Sequence, residues 1–506
     1  MLCVSIATSS HHRLIESHAK LVADGVKFVE LRLDFLRKNP ELSRIIPVRP
    51  SAAIATCRRR QDGGQWRETE EMRLTTLRAA IAAGIEYVDL EEDVAASIPR
   101  YGKTRRVISH HDMHGFPDDL EALYQRMMKC DPDFVKIAVM PKTVDQLFDF
   151  LQFVREKNRQ AKAGTAGFAR TIGIGMGELG QLSRILAKRF EMPYTYATFS
   201  HSRIIAPGML DYKELSDDYR YDKLPADANV YGVVGFPVGH SLSPAIHNGS
   251  FVAAGINSVY LPFAIPPEEL HRFVERAGEI GVKGLSITIP HKVSVIEKLT
   301  QEDKAVEAIG ACNTVVFKDD GQIIGYNTDY VAAVLSIEIA AGGKGHETPS
   351  VLQDKTALVL GSGGAGKAIA YGLKKRGVDV TVTDGNFARA KELSAQLGCE
   401  CCGWNERAEH KIDILVNCTP LGMFPNVDGT PAEDSMFHAG MVVFDSVYNP
   451  ERTMFLSQAE TRGCKTVSGV EMFVGQACLQ FKLFTGEKAS AKLMRDIVKQ
   501  AISAIK

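Results

Sequence analysis

One lysine stands alone inside an apolar run, Phe134-Val-Lys136-Ile-Ala-Val139. A charged group in such a run is costly to bury unless it is paired or neutral. Desolvation lowers a lysine's pKa, and a neutral amine is what a Schiff-base lysine needs. The competing role for Lys136 is an ion pair with Glu30 or Glu91. Further polar residues sit in or just after similar runs: Glu30 and Arg32 in Val-Glu-Leu-Arg-Leu-Asp34, Arg58 ending Ala-Thr-Cys-Arg, Glu91 closing Val-Asp-Leu-Glu, and His110, His111, Asp112 and His114 after Val-Ile-Ser. The histidines come from one loop and no cysteine or acid cluster completes them, so no metal is expected there.

The second half carries its own chemistry. Lys292 and Asp329 would make a proton-transfer pair suited to an alcohol being oxidised or a carbonyl being reduced. The alternative is a minor surface salt bridge. Ser241 and Ser243, flanking the start of a helix with Pro244 in its first turn, form either a carboxylate cradle or an N-cap. Further on, Thr356-Ala-Leu-Val-Leu-Gly361-Ser362-Gly363-Gly364-Ala365-Gly366 runs from a strand through G-x-G-x-x-G into an alanine-rich helix, and a second strand follows at Val378 to Thr383. That order is a dinucleotide-binding βαβ unit. Gly361 permits the tight turn, Gly363 lets N–H groups approach a pyrophosphate, and Gly366 allows close helix packing.

These residues need elements to hold them. At 506 residues the chain exceeds a single core, so two or three domains are expected. In the first half β-rich runs recur at Cys3 to Thr8, Phe28 to Asp34, Ala53 to Arg58, Tyr87 to Glu91, Arg106 to His111, Phe134 to Val139, Thr171 to Met176 and Tyr194 to Phe199, with helical segments between them. Eight strand–helix units in about 210 residues are the count of a (β/α)8 barrel, whose chemistry sits at the C-terminal strand ends. Asp211 to Asn229 is polar, contains Pro225 and lacks apolar periodicity, which reads as a linker. Lys plus Arg (60) balances Asp plus Glu (61), leaving no basic field for nucleic acid, and no apolar run approaches membrane-spanning length. Small-molecule partners are expected. Ten scattered cysteines suit a reducing compartment, and the N-terminal stretch lacks a signal-peptide pattern, so a cytoplasmic protein is expected. Cys399, Cys401 and Cys402 cluster, but no second ligand pair follows at zinc-finger spacing.

Glu30-Leu-Arg-Leu-Asp, Ser109-His-His111-Asp-Met-His114, Phe134-Val-Lys136-Ile-Ala-Val-Met-Pro141 and Gly175-Met-Gly-Glu-Leu-Gly-Gln-Leu-Ser-Arg184 resemble the type I 3-dehydroquinate dehydratases over roughly residues 1–215. The resemblance implies that Lys136 forms an imine with the substrate ketone and that His111 moves the proton lost and the proton delivered to the departing hydroxyl. It implies that Glu30, Arg32, Arg58 and Arg184 hold the substrate, with arginine supplying a bidentate fork. Two positions depart from the family. Asp62 replaces a longer glutamate and shortens its reach towards His111. The lid reads Ile205-Ala-Pro-Gly-Met209 where the family has Ser-Ala-Pro-Gly-Gln, so the lid is expected to close by packing and backbone contacts or with other residues compensating.

The rest resembles shikimate dehydrogenase: Gly-Phe-Pro…His240-Ser241-Leu-Ser243-Pro…His247-Asn248, Thr288-Ile-Pro-His-Lys292, Gly310-Ala-Cys-Asn313-Thr, Asn327-Thr-Asp329, the glycine-rich loop, Asn417-Cys-Thr419-Pro-Leu-Gly422-Met and Gly469-Val-Glu-Met-Phe-Val-Gly-Gln476. That resemblance implies Ser241 and Ser243 on the carboxylate, with Thr288, Asn313, Asp329 and Gln476 on hydroxyls. Lys292 and Asp329 shuttle a proton while nicotinamide exchanges hydride. Ser286, where bacterial members often carry asparagine, keeps a hydroxyl for the same role. It also implies a substrate-binding lobe at 230–335, completed by helices from about 476 to 506, and a Rossmann lobe at 336–475 after a linker at 216–229. Cofactor contacts fall on Gly361, Ser362, Gly363, Gly364, Ala365, Gly366, Thr419 and Gly469, and residues 423–436 form the loop near the nicotinamide. Family habit favours NADP. Asp384, 23 residues after Gly361, is placed to bond a free ribose 2′-OH and favours NAD, while Arg389 offers a partner for a 2′-phosphate.

The combined reading is an α/β, bifunctional enzyme of aromatic amino-acid precursor synthesis. Its rivals are a second half that takes quinate and a catalytically silent quinate-sensing homologue. The latter predicts loss of catalytic residues, yet Lys136, His111, Lys292 and Asp329 are all present.

Overall fold

A computed structural model describes residues 1–200, 205–239, 241–345 and 348–504. His240 and the last two residues of the expected C-terminal helix lie outside the described residues. The chain divides into two compact units, one built on residues 1–228 with 279–281 and the other on 229–278 with 282–506.

The first unit holds β1 (Leu2–Ile6), β2 (Phe28–Arg32), β3 (Ala52–Thr56), β4 (Tyr87–Glu91), β5 (Arg105–His111), β6 (Phe134–Val139), β7 (Arg170–Gly175) and β8 (Thr195–Thr198). Parallel ladders join them in the order β7-β6-β5-β4-β3-β2-β1-β8. These are the eight strands expected, each within two residues of its expected ends. The strands are buried on both faces, which explains their near-continuous apolar sequence.

Period-two geometry sets the barrel interior in layers. Phe28, Tyr87, Phe134 and Tyr194 pack edge-on or tilted at its base, with ring centroids 5.0–6.0 Å apart. Two residues further along, Glu30, Asp89 and Lys136 form a charged layer above that apolar floor. Arg32, Glu91 and Ala138 follow in the same sense at the C-terminal strand ends. The segment read as a linker is not extended: a helical turn at Glu214–Asp218 and the buried Leu215, Tyr219, Tyr221 and Leu224 pack it into the first unit.

The second unit contains two six-stranded sheets. β9 (Asn229–Gly235), β10 (Ser258–Ala264), β11 (Val282–Ile287), β12 (Gln301–Glu302), β13 (Thr314–Phe317) and β14 (Ile323–Tyr326) are ordered β10-β9-β11-β13-β14-β12, with β13 antiparallel to both neighbours. β15 (Thr356–Leu360), β16 (Asp379–Thr383), β17 (Glu400–Cys401), β18 (Ile414–Asn417), β19 (Val442–Asp445) and β20 (Lys465–Val467) form an all-parallel sheet ordered β17-β16-β15-β18-β19-β20. Strand order reverses between β15 and β18, the place where doubly wound sheets bind ligands. The helices Gly469–Thr485 and Ala491–Ala504 return to the first sheet, where Val474, Phe481, Met494 and Val498 share a core with Tyr231, Phe251 and Tyr260. Among the described residues no helix is long and apolar enough to cross a membrane.

Candidate active sites

In the barrel, Lys136 is buried on β6 with its Nζ 3.2 Å from Asp89 Oδ2, 3.7 Å from Glu30 Oε1 and 4.2 Å from the centre of the Tyr196 ring. The expected ion pair with Glu30 is present; the one with Glu91 is not. Glu91 instead pairs with Arg58 and Arg73, at 2.7 and 2.8 Å. The reason is the strand pleat, which puts Asp89 at the level of Lys136 and Glu91 one step higher. Sequence reasoning missed Asp89, although its place two residues before Glu91 puts it on the same face.

The acids are tied down. Glu30 accepts from Ser5 Oγ (2.6 Å) and Thr56 Oγ1 (2.9 Å). Asp89 accepts from Ser109 Oγ (2.5 Å) and lies 2.7 Å from Arg58 Nη2. Burial alone would raise the Asp89 pKa, but Arg58, Lys136 and His111 outweigh it and hold the carboxyl well below the usual carboxylate range. His111 sits two residues beyond Ser109, the Lys136 neighbour on β5. Its Nδ1 is buried without a hydrogen-bond partner. Desolvation, reinforced by Arg58 and Lys136, holds the imidazole well below 6.5, so it is neutral at physiological pH.

The three arginines differ in what they have left to offer. Arg32 forks onto Asp34 at 2.9 and 2.8 Å, and Arg58 is taken by Asp89, Glu91 and Ser109. Arg184, fully buried on the short helix Leu182–Ile185 that follows β7, donates to the Gly175 carbonyl at 2.7 Å and meets no carboxylate among the described residues. Burial pushes its pKa down to about 10, so a counter-anion is wanted there. Asp62 turns to Arg59, 2.6 Å away, and makes no bond to His111 among the described residues. His110 pairs with Glu92 on the outside.

Ser5, Glu30, Arg32, Arg58, Asp62, His111, Lys136, Arg184 and Tyr196 line one cavity of about 60 Å³ roofed by Ile205, Ala206 and Met209. The lid does close by packing and backbone contact. Met209 and Ile205 join an apolar cluster with Met113 and Met176, and the Gly177 N–H donates to the Pro207 carbonyl at 3.2 Å. Gly208 has φ +69°, and a Cβ there would meet the Gly177 carbonyl oxygen at 2.2 Å.

In the second unit, Lys292 Nζ lies 2.5 Å from Asp329 Oδ2, and the Asp329 side chain is only 7% exposed, so the pair is not a surface salt bridge. Asp329 opens the helix Asp329–Ala340, its N–H held by Asn327 Oδ1. Asn313 is locked by Thr328, whose N–H it accepts at 2.8 Å. Ser241 Oγ accepts from the Ser243 N–H at 3.3 Å, while no side chain caps the helix Ser243–Ala254. Thr288 follows β11, its N–H bonded to the Val234 carbonyl. Gln476 is buried and donates to the Phe473 carbonyl. Ser286 is held internally: Tyr260 donates to it at 2.6 Å and it donates to Gln480 at 2.7 Å, so its proton is committed and one acceptor lone pair remains. Gln480 also donates to Thr314 and was missed, although it lies one helical turn beyond Gln476.

The glycine loop fits a dinucleotide. A Cβ on Gly366 would lie 1.9 Å from the Gly361 carbonyl oxygen, Gly361 has φ +101° beside Cys418, and the space beside Gly363 is open. The helix Gly364–Lys375 starts there with no side-chain cap, leaving its N–H groups available to a pyrophosphate. The Lys292 stem lies against Gly364, 3.0 Å from where a Cβ would be, so the proton-transfer pair adjoins this loop. Asp384 Oδ2 accepts from both the N–H and the hydroxyl of Ser362, each at 2.8 Å, and Oδ1 from the Asn386 N–H. Arg389 is exposed on the following helix. Thr419 is held by Asn417 Oδ1, and Asn417 in turn by the buried Asp445. Gly469 packs against the Val447 carbonyl, 2.4 Å from where its Cβ would be, which is a packing reason for glycine. Among the described residues no group of three or more His, Cys, Asp or Glu is placed to hold a metal.

Family models match the chain as type I 3-dehydroquinase over residues 2–225, shikimate dehydrogenase substrate binding domain over 233–315, NADP oxidoreductase coenzyme F420-dependent over 356–442 and shikimate 5′-dehydrogenase C-terminal domain over 469–499. A bifunctional 3-dehydroquinate dehydratase/shikimate dehydrogenase, chloroplastic, of Arabidopsis thaliana is 35% identical over 98% of this chain and 84% of its own. A shikimate dehydrogenase (NADP(+)) of Methanosarcina acetivorans is 40% identical over 54% of this chain and 99% of its own. A crystal structure of a shikimate dehydrogenase in complex with NADP+ matches with a TM-score of 0.51 at 32% identity, covering 55% of this chain and 97% of that one.

Proposed function

The chain belongs to the bifunctional 3-dehydroquinate dehydratase/shikimate dehydrogenase family, and from that premise we propose how its two sites divide the work. The enzyme is a lyase and an oxidoreductase: it dehydrates 3-dehydroquinate to 3-dehydroshikimate and reduces that product to shikimate. The dehydratase is assigned to 1–215 and the dehydrogenase to the remainder, with a substrate lobe at 230–335 completed by the C-terminal helices and a nucleotide lobe at 336–475.

In the barrel, Lys136 attacks the substrate ketone and loses water to give an imine. The protonated imine withdraws electrons from the adjacent carbon, His111 removes a proton there, and the neutral imidazole that permits this is the one burial enforces. The same His111 then protonates the departing hydroxyl. Glu30 orients the substrate, and Arg184 receives its carboxylate. The observation that carries this reading is the buried Arg184 guanidinium without a counter-charge, opening into the cavity that holds Lys136 and His111.

In the second unit, Ser241 and Ser243 take the carboxylate, and Thr288, Asn313 and Gln476 take hydroxyls. Lys292 gives a proton to the carbonyl oxygen as it becomes an alcohol, with Asp329 orienting the ammonium and bonding the neighbouring hydroxyl. A nicotinamide dinucleotide, NADP in the named relatives, supplies the hydride when bound. Gly361, Ser362, Gly363, Gly364, Ala365 and Gly366 would hold its pyrophosphate. Asp384 sets 2′ selectivity by opposing a phosphate, with Arg389 as the compensating cation. The ten free thiols accord with a cytoplasmic location.

The test is ultraviolet absorbance of the purified chain with 3-dehydroquinate, followed by NADPH or NADH in parallel. Enone absorbance should rise, then collapse as one nucleotide is consumed. No rise overturns the barrel assignment; a rise that neither nucleotide reverses overturns the second.

A further inference from the structure

We propose that the barrel carries a second anion site, for a compact polyanion bearing phosphoryl or carboxylate groups, at the end opposite its catalytic cavity. Arg170 is the first residue of β7, whereas the catalytic cavity gathers around Met176 beyond the last. Around Arg170 lies a cavity of about 550 Å³ lined by Arg155, Lys162, Lys188 and Arg189, against which only Glu191 and Asp227 carry negative charge. The whole chain has a net charge of −1, so five cations facing two carboxylates is a local excess that the composition does not suggest.

Most of these cations are accounted for. Lys162 shares Glu191 with Arg159. Arg170 donates to the Glu191 carbonyl and to Asn158, and Lys188 to the Asp222 and Leu224 carbonyls. Arg155 and Arg189 are different. The Nε atoms of both are buried without a hydrogen-bond partner. Among the described residues Arg155 has no ion pair and Arg189 donates to the Ala228 carbonyl alone. They are close enough for the Arg155 charge to add to burial in opposing that of Arg189, while Asp227 acts the other way. The two half-buried side chains each keep a buried Nε–H unpaired among the described residues, a cost that an arriving acceptor would relieve, and forked N–H groups match phosphoryl or carboxylate oxygens. The cavity exceeds the size of a single phosphate, which favours a ligand with two or more anionic groups.

Isothermal titration of the full chain with pyrophosphate and, separately, citrate tests the assignment. At least one should bind saturably, more weakly as salt rises. Arg155→Gln removes no bond from the fold, so both catalytic rates should persist while affinity falls about tenfold or more. Arg155→Glu should abolish binding. The arm that binds identifies phosphoryl or carboxylate chemistry. Absence of saturable binding by both probes, or equal affinity in wild type and both variants, overturns the proposal.

Discussion

Asp89 Oδ2 lies 3.2 Å from Lys136 Nζ inside the barrel, and its other oxygen lies 2.7 Å from Arg58, so one buried carboxylate serves two cations. Asp89→Asn leaves both without their shared partner. We expect a loss of about 3–5 kcal/mol in urea denaturation of the first unit's transition. Lys136→Ala should abolish dehydration and borohydride trapping of substrate while dehydrogenase activity persists. Trapping in the alanine variant would place the imine elsewhere.

His111→Gln should lower dehydratase turnover about 100- to 10,000-fold, the range for a positioned acid–base group. The imidazole is held below its usual value in the folded chain, so the unfolded chain takes up a proton first as pH falls through about 6.5. Its contribution to stability is therefore present above 6.5 and lost on acidification. Comparison of wild-type and His111→Gln unfolding midpoints between about pH 7.5 and 5 should show a smaller acid loss in the variant.

Gly208→Ala tests the lid. The added methyl would collide with the Gly177 carbonyl in a left-handed backbone conformation. Dehydratase kcat/KM should fall about tenfold or more, with the global unfolding midpoint nearly unchanged, because a lid can lift where a core cannot. An unaltered rate would show that the lid docks differently during turnover.

Asp384→Ser should raise the ratio of NADPH to NADH kcat/KM. The Asp384 carboxylate stays ionised because the Ser362 and Asn386 donors and Arg389 outweigh the effect of its burial. Removing a charge that costs a 2′-phosphate about 1.4 kcal/mol changes the ratio about tenfold. An unchanged ratio would remove Asp384 from cofactor choice.

Asp445 is buried and pushed up to about 6 by desolvation, despite accepting from Thr453, Asn417 and Val447. A raised carboxyl pKa favours the fold at low pH. Between 3.8 and about 6 the unfolded chain releases its proton first, so stability falls as pH rises through that window, by about 3 kcal/mol. Asp445→Asn keeps one acceptor and should remove this slope from urea denaturation between about pH 4 and 7. A retained slope would assign it to another group.

The two architectures were legible in the amino-acid sequence by itself, and so were the candidate site residues as expectations. Recurring β-rich runs and strand–helix repetition give the barrel its eight strands, and Gly361, Gly363 and Gly366 admit one kind of turn because a Cβ at Gly366 has nowhere to go. Local chemistry of that sort depends on neighbours in the chain. Partnership does not. Whether Lys136 pairs with Asp89 or Glu91 depends on strand stagger, and which arginine keeps free donors depends on acids far away in sequence: Arg58 is spent and Arg184 is not. The Ser286 proton is committed to Gln480, 194 residues away, and its hydroxyl oxygen accepts from Tyr260. The cations around Arg155 and Arg189 carry no motif at all, because only the folded eight-stranded unit brings a helix, a strand start and a loop to one cavity. Charge compensation at buried sites is a long-range property, and tertiary structure alone decides it.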